Sequence, residues 1–224
     1  MQITGGKPMK YTHILWDWNG TLIDDLGVSV EVLNAMLSPR GLKTLTHEEY
    51  REVFRFPIID YYIAVGLTPE RWPYDDLAKE YWQLYDPASR TAPLMAGAKE
   101  VLQQLKDLGA AQAILSASEQ GHLKAVTKYF GIHGYFNDVL GLNSIHAHSK
   151  VELGLDWIRR EGVAPEHVVL IGDTEHDAAV AKSMGIDCIL IPKGHYSRRR
   201  LELLDLPIVE DISLIPQFLS KLPE

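Results

Sequence analysis

The chain has 224 residues, 46% of them hydrophobic, which is enough to bury one core and to carry a smaller second domain. Its 22 basic and 30 acidic residues give a net charge of −8, so we expect neither nucleic acid nor an anionic membrane as a partner. The sequence has one cysteine, Cys188, which excludes an internal disulfide and fits a reducing compartment. It has no apolar signal core and no stretch long enough to span a membrane, so we expect a cytoplasmic protein.

The first part of the chain predicts one strand followed by a long helical region. Residues 12–16 form a short apolar run that predicts a buried strand, ended by the turn dipeptide Asn19-Gly20. From residue 28 to residue 85 the signals are helical, with a capping box at Thr46 and a helix start at Thr68-Pro69. Residues 87–93 then predict a linker that leads back to the first strand's domain.

After this linker, helix and strand signals alternate. The alternation predicts helices at 98–108, 119–130, 151–160 and 178–184, and strands at 111–115, 138–140, 167–171 and 186–191. Short connections between such elements favour a parallel sheet with helices on both faces. The sequence therefore predicts an α/β fold with a Rossmann-like parallel sheet.

Ligands of such sheets bind beyond the carboxyl ends of the strands. The side chains predicted at those ends are Asp17, Ser116, Lys150, Asp173 and Asp177. Carboxylates can hold Mg²⁺, a lysine and a hydroxyl can hold phosphate oxygens, and a carboxylate can attack phosphorus to form an aspartyl phosphate. Taken together, these residues indicate phosphoryl chemistry.

Four segments resemble the motifs of the haloacid dehalogenase-like superfamily. Asp17-Trp18-Asn19-Gly20-Thr21-Leu22 resembles the first motif, Ile114-Leu115-Ser116 the second, Lys150 the third, and Gly172-Asp173-Thr174-Glu175-His176-Asp177 the fourth. Their order, their spacing and the helical insert after the first motif all agree with the phosphoglycolate phosphatase-like members. The resemblance implies a core domain of residues 1–24 and 87–224 and an inserted α-helical cap of residues 25–86.

The resemblance also implies roles for individual residues. Asp17 is the expected nucleophile and a metal ligand, and the backbone carbonyl of Asn19, Asp173 and Asp177 complete the expected Mg²⁺ site. Ser116 and Lys150 are expected to hold the phosphoryl group of a small phosphorylated substrate, and the substrate site is completed by Ala117, Gly20 and Thr21. Arg55 occupies the position of a cap specificity loop, so we expect it to contact the substrate's far end. The sequence carries no signal for the oligomeric state.

Asn19 is the departure from the family pattern, because phosphatases of this superfamily carry a second aspartate there that acts as general acid and base. An asparagine cannot exchange a proton, and such catalysis contributes roughly 10²–10⁴-fold. We therefore expect a slow enzyme that Asn19→Asp would accelerate. His176, between the two metal aspartates, is the first candidate for a replacement proton donor.

Three alternatives remain open at this point. A 2-haloacid dehalogenase also lacks the second aspartate, but the pair Asp173 and Asp177 argues against it. A phosphonatase would need an activated cap lysine, for which only Lys43 and Lys79 are available in the cap. A phosphate-binding relative without turnover is the third.

His146 and His148 could bind a metal together, although histidines in loops are more often not metal ligands.

Overall fold

The computed structural model describes residues 9–142 and 149–222. A five-stranded sheet with all strands parallel forms its centre, in the order β3-β2-β1-β4-β5. The strands are β1 (His13–Trp16), β2 (Ala111–Glu119), β3 (Asp138–Leu142), β4 (Val168–Gly172) and β5 (Asp187–Leu190). The predicted α/β fold class is confirmed.

The central strands are apolar along their length because helices cover both faces of the sheet. β1 lies between β2 and β4, with Leu15 paired to Ala113 on one side and to Leu170 on the other. These three side chains are fully buried in a cluster on one face, and Ile14 and Ile171 lie in a second cluster on the opposite face. The two hydrophobic clusters fix the register of the strands, and with it the edge at which their carboxyl ends meet.

Ten α-helices accompany the strands among the described residues. The core helices are α5 (Ala98–Asp107), α6 (Gln120–Tyr129), α7 (Lys150–Glu161), α8 (Glu175–Met184), α9 (Arg198–Glu202) and α10 (Ile215–Ser220). The other four follow β1 directly and are α1 (Leu26–Leu37), α2 (His47–Val53), α3 (Ile58–Ala64) and α4 (Tyr74–Ser89). None of the helices in the described ranges is long and apolar enough to cross a membrane.

The segment that carries α1 to α4, called the cap from here on, has a hydrophobic cluster of its own. Leu33 and Met36 of α1 pack there with Tyr62 of α3 and Leu77 of α4. An inserted helical cap on a parallel-sheet core is therefore present, as the sequence predicts.

Hydrogen bonds across the cleft join the cap to the core. Arg51 at the end of α2 donates to the carbonyl oxygens of Lys193 and Gly194 in the loop after β5. In the other direction, Arg200 of α9 donates to the carbonyl oxygens of Arg51 and Phe54 at 2.7 Å. The cap is thus held against the core loop that follows the edge strand.

Two local predictions are wrong. Thr68-Pro69 begins a single turn and not a helix, because Pro73 disfavours helical backbone at Trp72 and the next helix begins only at Tyr74. The predicted linker from Pro87 begins inside α4, which continues to Ser89. A proline near the end of a helix removes only one hydrogen bond, so it does not stop the last turn.

Candidate active site

Three buried aspartates meet at the carboxyl edge of the sheet. Asp17 follows β1 directly and Asp173 follows β4 directly, and because these strands are parallel neighbours their ends lie side by side. Asp177 lies in the first turn of α8, which begins three residues earlier than predicted because Thr174 caps it in a capping box with Asp177 itself. Oxygen atoms of the three carboxylates lie within 4.8 Å of one another.

Lys150 joins this cluster from the first turn of α7. Its buried Nζ donates to Oδ1 of Asp17 at 2.6 Å and to Oδ1 of Asp177 at 2.7 Å. Burial lowers the pKa of Lys150, but the two carboxylates outweigh burial and raise it above its usual value. Lys150 is therefore a fixed cation in the middle of the cluster.

The carboxylates carry more negative charge than Lys150 neutralises. Burial raises the pKa of Asp17 to about 7, with a further rise from Asp177 against the opposing effect of Lys150. Burial also raises the pKa of Asp173 to about 8, because the repulsion from Asp177 and Asp17 adds to burial and His195 only partly opposes it. A dry group of hard oxygen ligands with excess negative charge fits a divalent cation such as Mg²⁺. The residues that would hold it are Asp17, Asp173 and Asp177.

The backbone approaches Asp173 closely where only glycine fits. A Cβ atom at Gly20 or Gly194 would overlap the carboxylate of Asp173, and Gly20 also has a φ of +70°. Thr21 Oγ1 donates to Oδ1 of Asp173 at 3.2 Å, and the backbone N–H of His195 donates to Oδ2 at 2.6 Å. Asp173 is therefore oriented by two loops, one after β1 and one after β5.

Ser116 lies at the same edge, beside the Asp17 strand. Its side chain is 1% exposed, and its hydroxyl donates to the hydroxyl of Ser118 at 3.1 Å. Ser116, Ala117 and Ser118 line one cavity together with Asp17 and Lys150. The structure thus places Ser116, Ala117 and Lys150 in the same cavity as Asp17.

Asn19 is held by hydrogen bonds on both sides of its amide. Its Nδ2 donates to Oδ2 of Asp25 at 2.8 Å and to the hydroxyl of Tyr85 at 2.6 Å. Its Oδ1 accepts from the hydroxyl of Ser118 at 3.0 Å. Because a carboxylate only accepts hydrogen bonds, Asp25 fixes which end of the amide points towards it.

Asp25 and His195 form a buried ion pair behind Asn19. Oδ1 of Asp25 lies 3.2 Å from Nε2 of His195, and the Tyr50 hydroxyl lies 3.0 Å from Nδ1. Burial lowers the pKa of His195, but Asp25 outweighs burial and raises that pKa to about 9. Burial raises the pKa of Asp25, yet His195 and the hydrogen bonds from Tyr85 and Asn19 hold it below its usual value. The pair is therefore a carboxylate with an imidazolium.

The sequence prediction omits Asp25, His195 and Tyr85. His195 follows the end of β5, so the strand-end rule that selected Asp17 and Asp173 could have found it. Nothing in the sequence pattern singles out Tyr85 from the other cap aromatics, because its role depends on how the cap packs on the core.

The cavity over Asp17 has a volume of about 410 Å³ and lies between the strand ends and the cap. Among the described residues, nine aromatic side chains of the cap, from Tyr50 to Tyr85, line it. Arg55 does not line the cavity; it is half-buried and its Nε donates to the carbonyl oxygen of Val53. His176 lines it and stacks on Phe56 with ring centroids 4.4 Å apart. Burial and then Lys150 lower the pKa of His176. His146 and His148 lie outside the described residues.

Comparisons with known proteins agree with this architecture. A sequence model described as haloacid dehalogenase-like hydrolase matches residues 14–191. The chain is 24% identical to a phosphoglycolate phosphatase of Synechococcus elongatus over 84% of this chain and 87% of that one. It is 25% identical to a phosphoglycolate phosphatase of Rhodobacter capsulatus over 91% and 94%. A haloacid dehalogenase-like hydrolase from Streptococcus pneumoniae shares the fold, with a TM-score of 0.80, 20% identity and coverage of 93% and 98%.

Proposed function

This chain belongs to the haloacid dehalogenase-like hydrolase family and is a phosphatase, and we propose that it is a Mg²⁺-dependent phosphohydrolase that acts through an aspartyl phosphate on Asp17. The observation that carries the proposal is the buried cluster of Asp17, Asp173 and Asp177 with Lys150 between two of its members. The substrate is a small phosphorylated metabolite that enters the cavity between core and cap. We further propose that residues 1–24 and 87–224 form the core domain and residues 25–86 the cap domain.

Asp17 is the proposed nucleophile because it lies where the strand ends, the cavity and the cation meet. Its carboxylate attacks phosphorus, the leaving oxygen departs in line, and water then cleaves the acyl phosphate to regenerate the carboxylate. Lys150 and Ser116 hold the transferring oxygens, aided by the backbone of Gly20 and Ala117, and Thr21 keeps Asp173 in place.

Asp17, Asp173, Asp177 and the backbone carbonyl of Asn19 would hold Mg²⁺, which would supply positive charge opposite the phosphoryl group. The site supports this ligand set because its carboxylates are buried, close together and under-compensated by Lys150.

The second half of the reaction is expected to be slow. Asn19 holds no exchangeable acidic proton, and both N–H groups of its amide are directed at Asp25 and Tyr85. Water that attacks the phosphorylated Asp17 therefore lacks the general base that the family's second aspartate supplies, which is worth roughly 10²–10⁴-fold.

Two of the alternatives, the phosphonatase and the 2-haloacid dehalogenase, receive no support from the structure. The cap lysines Lys43 and Lys79 are exposed, and Lys43 pairs with Glu49, so neither is the desolvated amine that a Schiff base requires. The full pair of Asp173 and Asp177 in the buried cluster disfavours a metal-free dehalogenase.

The experiment that tests the proposal is phosphate release from acetyl phosphate and 4-nitrophenyl phosphate with Mg²⁺, for the native chain, Asp17→Asn and Asp24→Asn. Asp24 is exposed on the same loop as Asp17 and serves as the matched control. We expect turnover by the native chain and Asp24→Asn, and none by Asp17→Asn or after EDTA. Phosphate release that survives Asp17→Asn would overturn the aspartyl-phosphate mechanism. A correctly folded native chain that binds phosphate but releases none would establish the non-catalytic relative.

A further inference from the structure

Aromatic rings make up most of the cap wall of the cavity, and this restricts the chemical groups that a substrate can place there. Its nine aromatic rings, six of them tyrosines, line the cavity together with Ile58, Ala78, Ser29 and Asp25, and within the described residues no lysine or arginine of the cap lines it. A leaving group with a carboxylate or a second phosphate would be buried against these rings without a counter-charge, which is strongly unfavourable.

The cations on the core side of the cavity are already paired. Lys150 bonds Asp17 and Asp177, and His195 bonds Asp25. Neither cation is thus available to neutralise a second anionic group at the far end of a substrate. The described part of the cavity provides for one anion, the phosphoryl group next to Asp17.

Three of the six tyrosine hydroxyl groups of the wall are already hydrogen-bonded within the protein. Tyr50, Tyr81 and Tyr85 bond His195, Ser29 and Asp25, respectively. The hydroxyl of Tyr61 is buried and has no hydrogen-bond partner among the described residues. A buried hydroxyl without a partner is costly, and Tyr61 lines this cavity.

From this wall and from the fixed amide of Asn19 we infer that the substrate is a phosphate monoester of an uncharged aromatic alcohol, an aryl phosphate, an inference that rests on the proposed phosphohydrolase function. Aromatic rings bind rings by offset and edge contacts. An aryl oxide leaves without being protonated by the enzyme, so the site needs no acid at position 19.

The reaction balances without a further reactant. Asp17 forms a bond to phosphorus while the bond between phosphorus and the aryl oxygen breaks, and its electron pair stays on the aryl oxide, which takes a proton from water. A second water then attacks the phosphorylated Asp17, releasing phosphate and restoring the carboxylate. The net change is aryl phosphate and water to the phenol and phosphate.

A binding measurement tests the inference separately from turnover. Isothermal titration calorimetry of the native chain, in buffer that contains Mg²⁺, would measure the Kd of phenylphosphonate, cyclohexylphosphonate and phosphonoacetate. The three compounds share the phosphonate and differ in the attached group. We expect phenylphosphonate to bind roughly 3- to 10-fold more tightly than the cyclohexyl analogue, from aromatic contacts. Phosphonoacetate should bind most weakly. Equal affinities, or preference for phosphonoacetate, would overturn the inference.

Variants locate the effect on the cap wall. Trp82 lines the cavity and Trp72 is a cap tryptophan that does not, so Trp82→Leu and Trp72→Leu form a matched pair. The measured quantity is kcat/KM for phenyl phosphate divided by kcat/KM for acetyl phosphate. Trp82→Leu should lower this ratio roughly 3- to 10-fold and Trp72→Leu should not. An unchanged ratio in Trp82→Leu contradicts the inference, whereas failure of the native chain to release phosphate from either compound contradicts the proposed function itself.

Discussion

The side-chain amide of Asn19 donates to the buried carboxylate of Asp25 at 2.8 Å. The asparagine at position 19, where the family has an aspartate, therefore supplies the hydrogen-bond donor that the carboxylate of Asp25 accepts from. An aspartate at position 19 would bring a second carboxylate against the first, which is fully buried.

The first prediction concerns this pair. From the sequence alone we expect Asn19→Asp to accelerate the enzyme, but the bond from Asn19 to Asp25 changes this expectation. Asn19→Asp alone should not raise kcat, because one of the two carboxylates must take up a proton or separate, and the protein should lose thermal stability. The exchange Asn19→Asp with Asp25→Asn keeps one donor and one acceptor, and should raise kcat for alkyl phosphates by up to roughly 10²-fold. Steady-state kinetics of both variants and of Asp25→Asn test this. A single Asn19→Asp that gains as much as the exchange would show that Asp25 does not restrict position 19.

The second prediction concerns Mg²⁺ and the aspartate cluster. Under the proposed function Mg²⁺ binds the folded cluster and not the unfolded chain, so Mg²⁺ at 100-fold above its Kd should stabilise the protein by about 3 kcal/mol. Thermal unfolding with and without Mg²⁺ measures this, and Asp173→Asn should abolish most of the rise in Tm while Asp24→Asn retains it. Equal Mg²⁺ effects in both variants would place the metal elsewhere.

The third prediction is a pH dependence of stability from His195. The pKa of His195 is about 9 in the folded chain against an ordinary value of 6.5, so the folded state binds more protons between these values. This stabilisation is complete below about pH 6.5 and is lost as the pH rises through about 9, with an upper limit of about 3 kcal/mol. Denaturant unfolding in EDTA at pH 8 to 9.5, above the pKa values of about 7 for Asp17 and about 8 for Asp173, measures the last part of this loss. His195→Gln should remove most of the loss in this range, and a native-like loss in that variant would assign it to another group.

The fourth prediction concerns the hydroxyl of Tyr61. Tyr61→Phe removes a buried hydroxyl that has no partner in the described part of the chain, so the free energy of unfolding should rise by about 1 kcal/mol. Tyr81→Phe is the matched control, because it removes a hydroxyl that donates to Ser29 and should bring no gain. Stability losses of similar size in both variants would mean that Tyr61 has a polar partner in the folded protein.

The sheet and the strand-end residues could be predicted because both follow from local pattern. Apolar runs that alternate with capped helices predict a parallel sheet. The parallel arrangement of β1 and β4 then brings Asp17 and Asp173 together, and this needs no knowledge of side-chain packing. The cap positions depend on how α2 and α4 rest on the core. Tyr50 reaches His195 and Tyr85 reaches Asp25 over separations of 145 and 60 residues, and no local pattern encodes such contacts. Arg55 was predicted from its place in the chain, yet its side chain bonds its own loop.

The most direct test of the central claim is to trap the phosphoenzyme. The native chain with Mg²⁺ and 4-nitrophenyl phosphate would be quenched in acid within milliseconds to seconds, digested and analysed by mass spectrometry. In the proposed mechanism Asn19 leaves the second step without a general base, so a burst of nitrophenol should precede steady turnover, and a phosphoryl group should accumulate on the peptide that contains Asp17. Steady turnover with no burst and with no phosphoryl group on Asp17 would contradict the account.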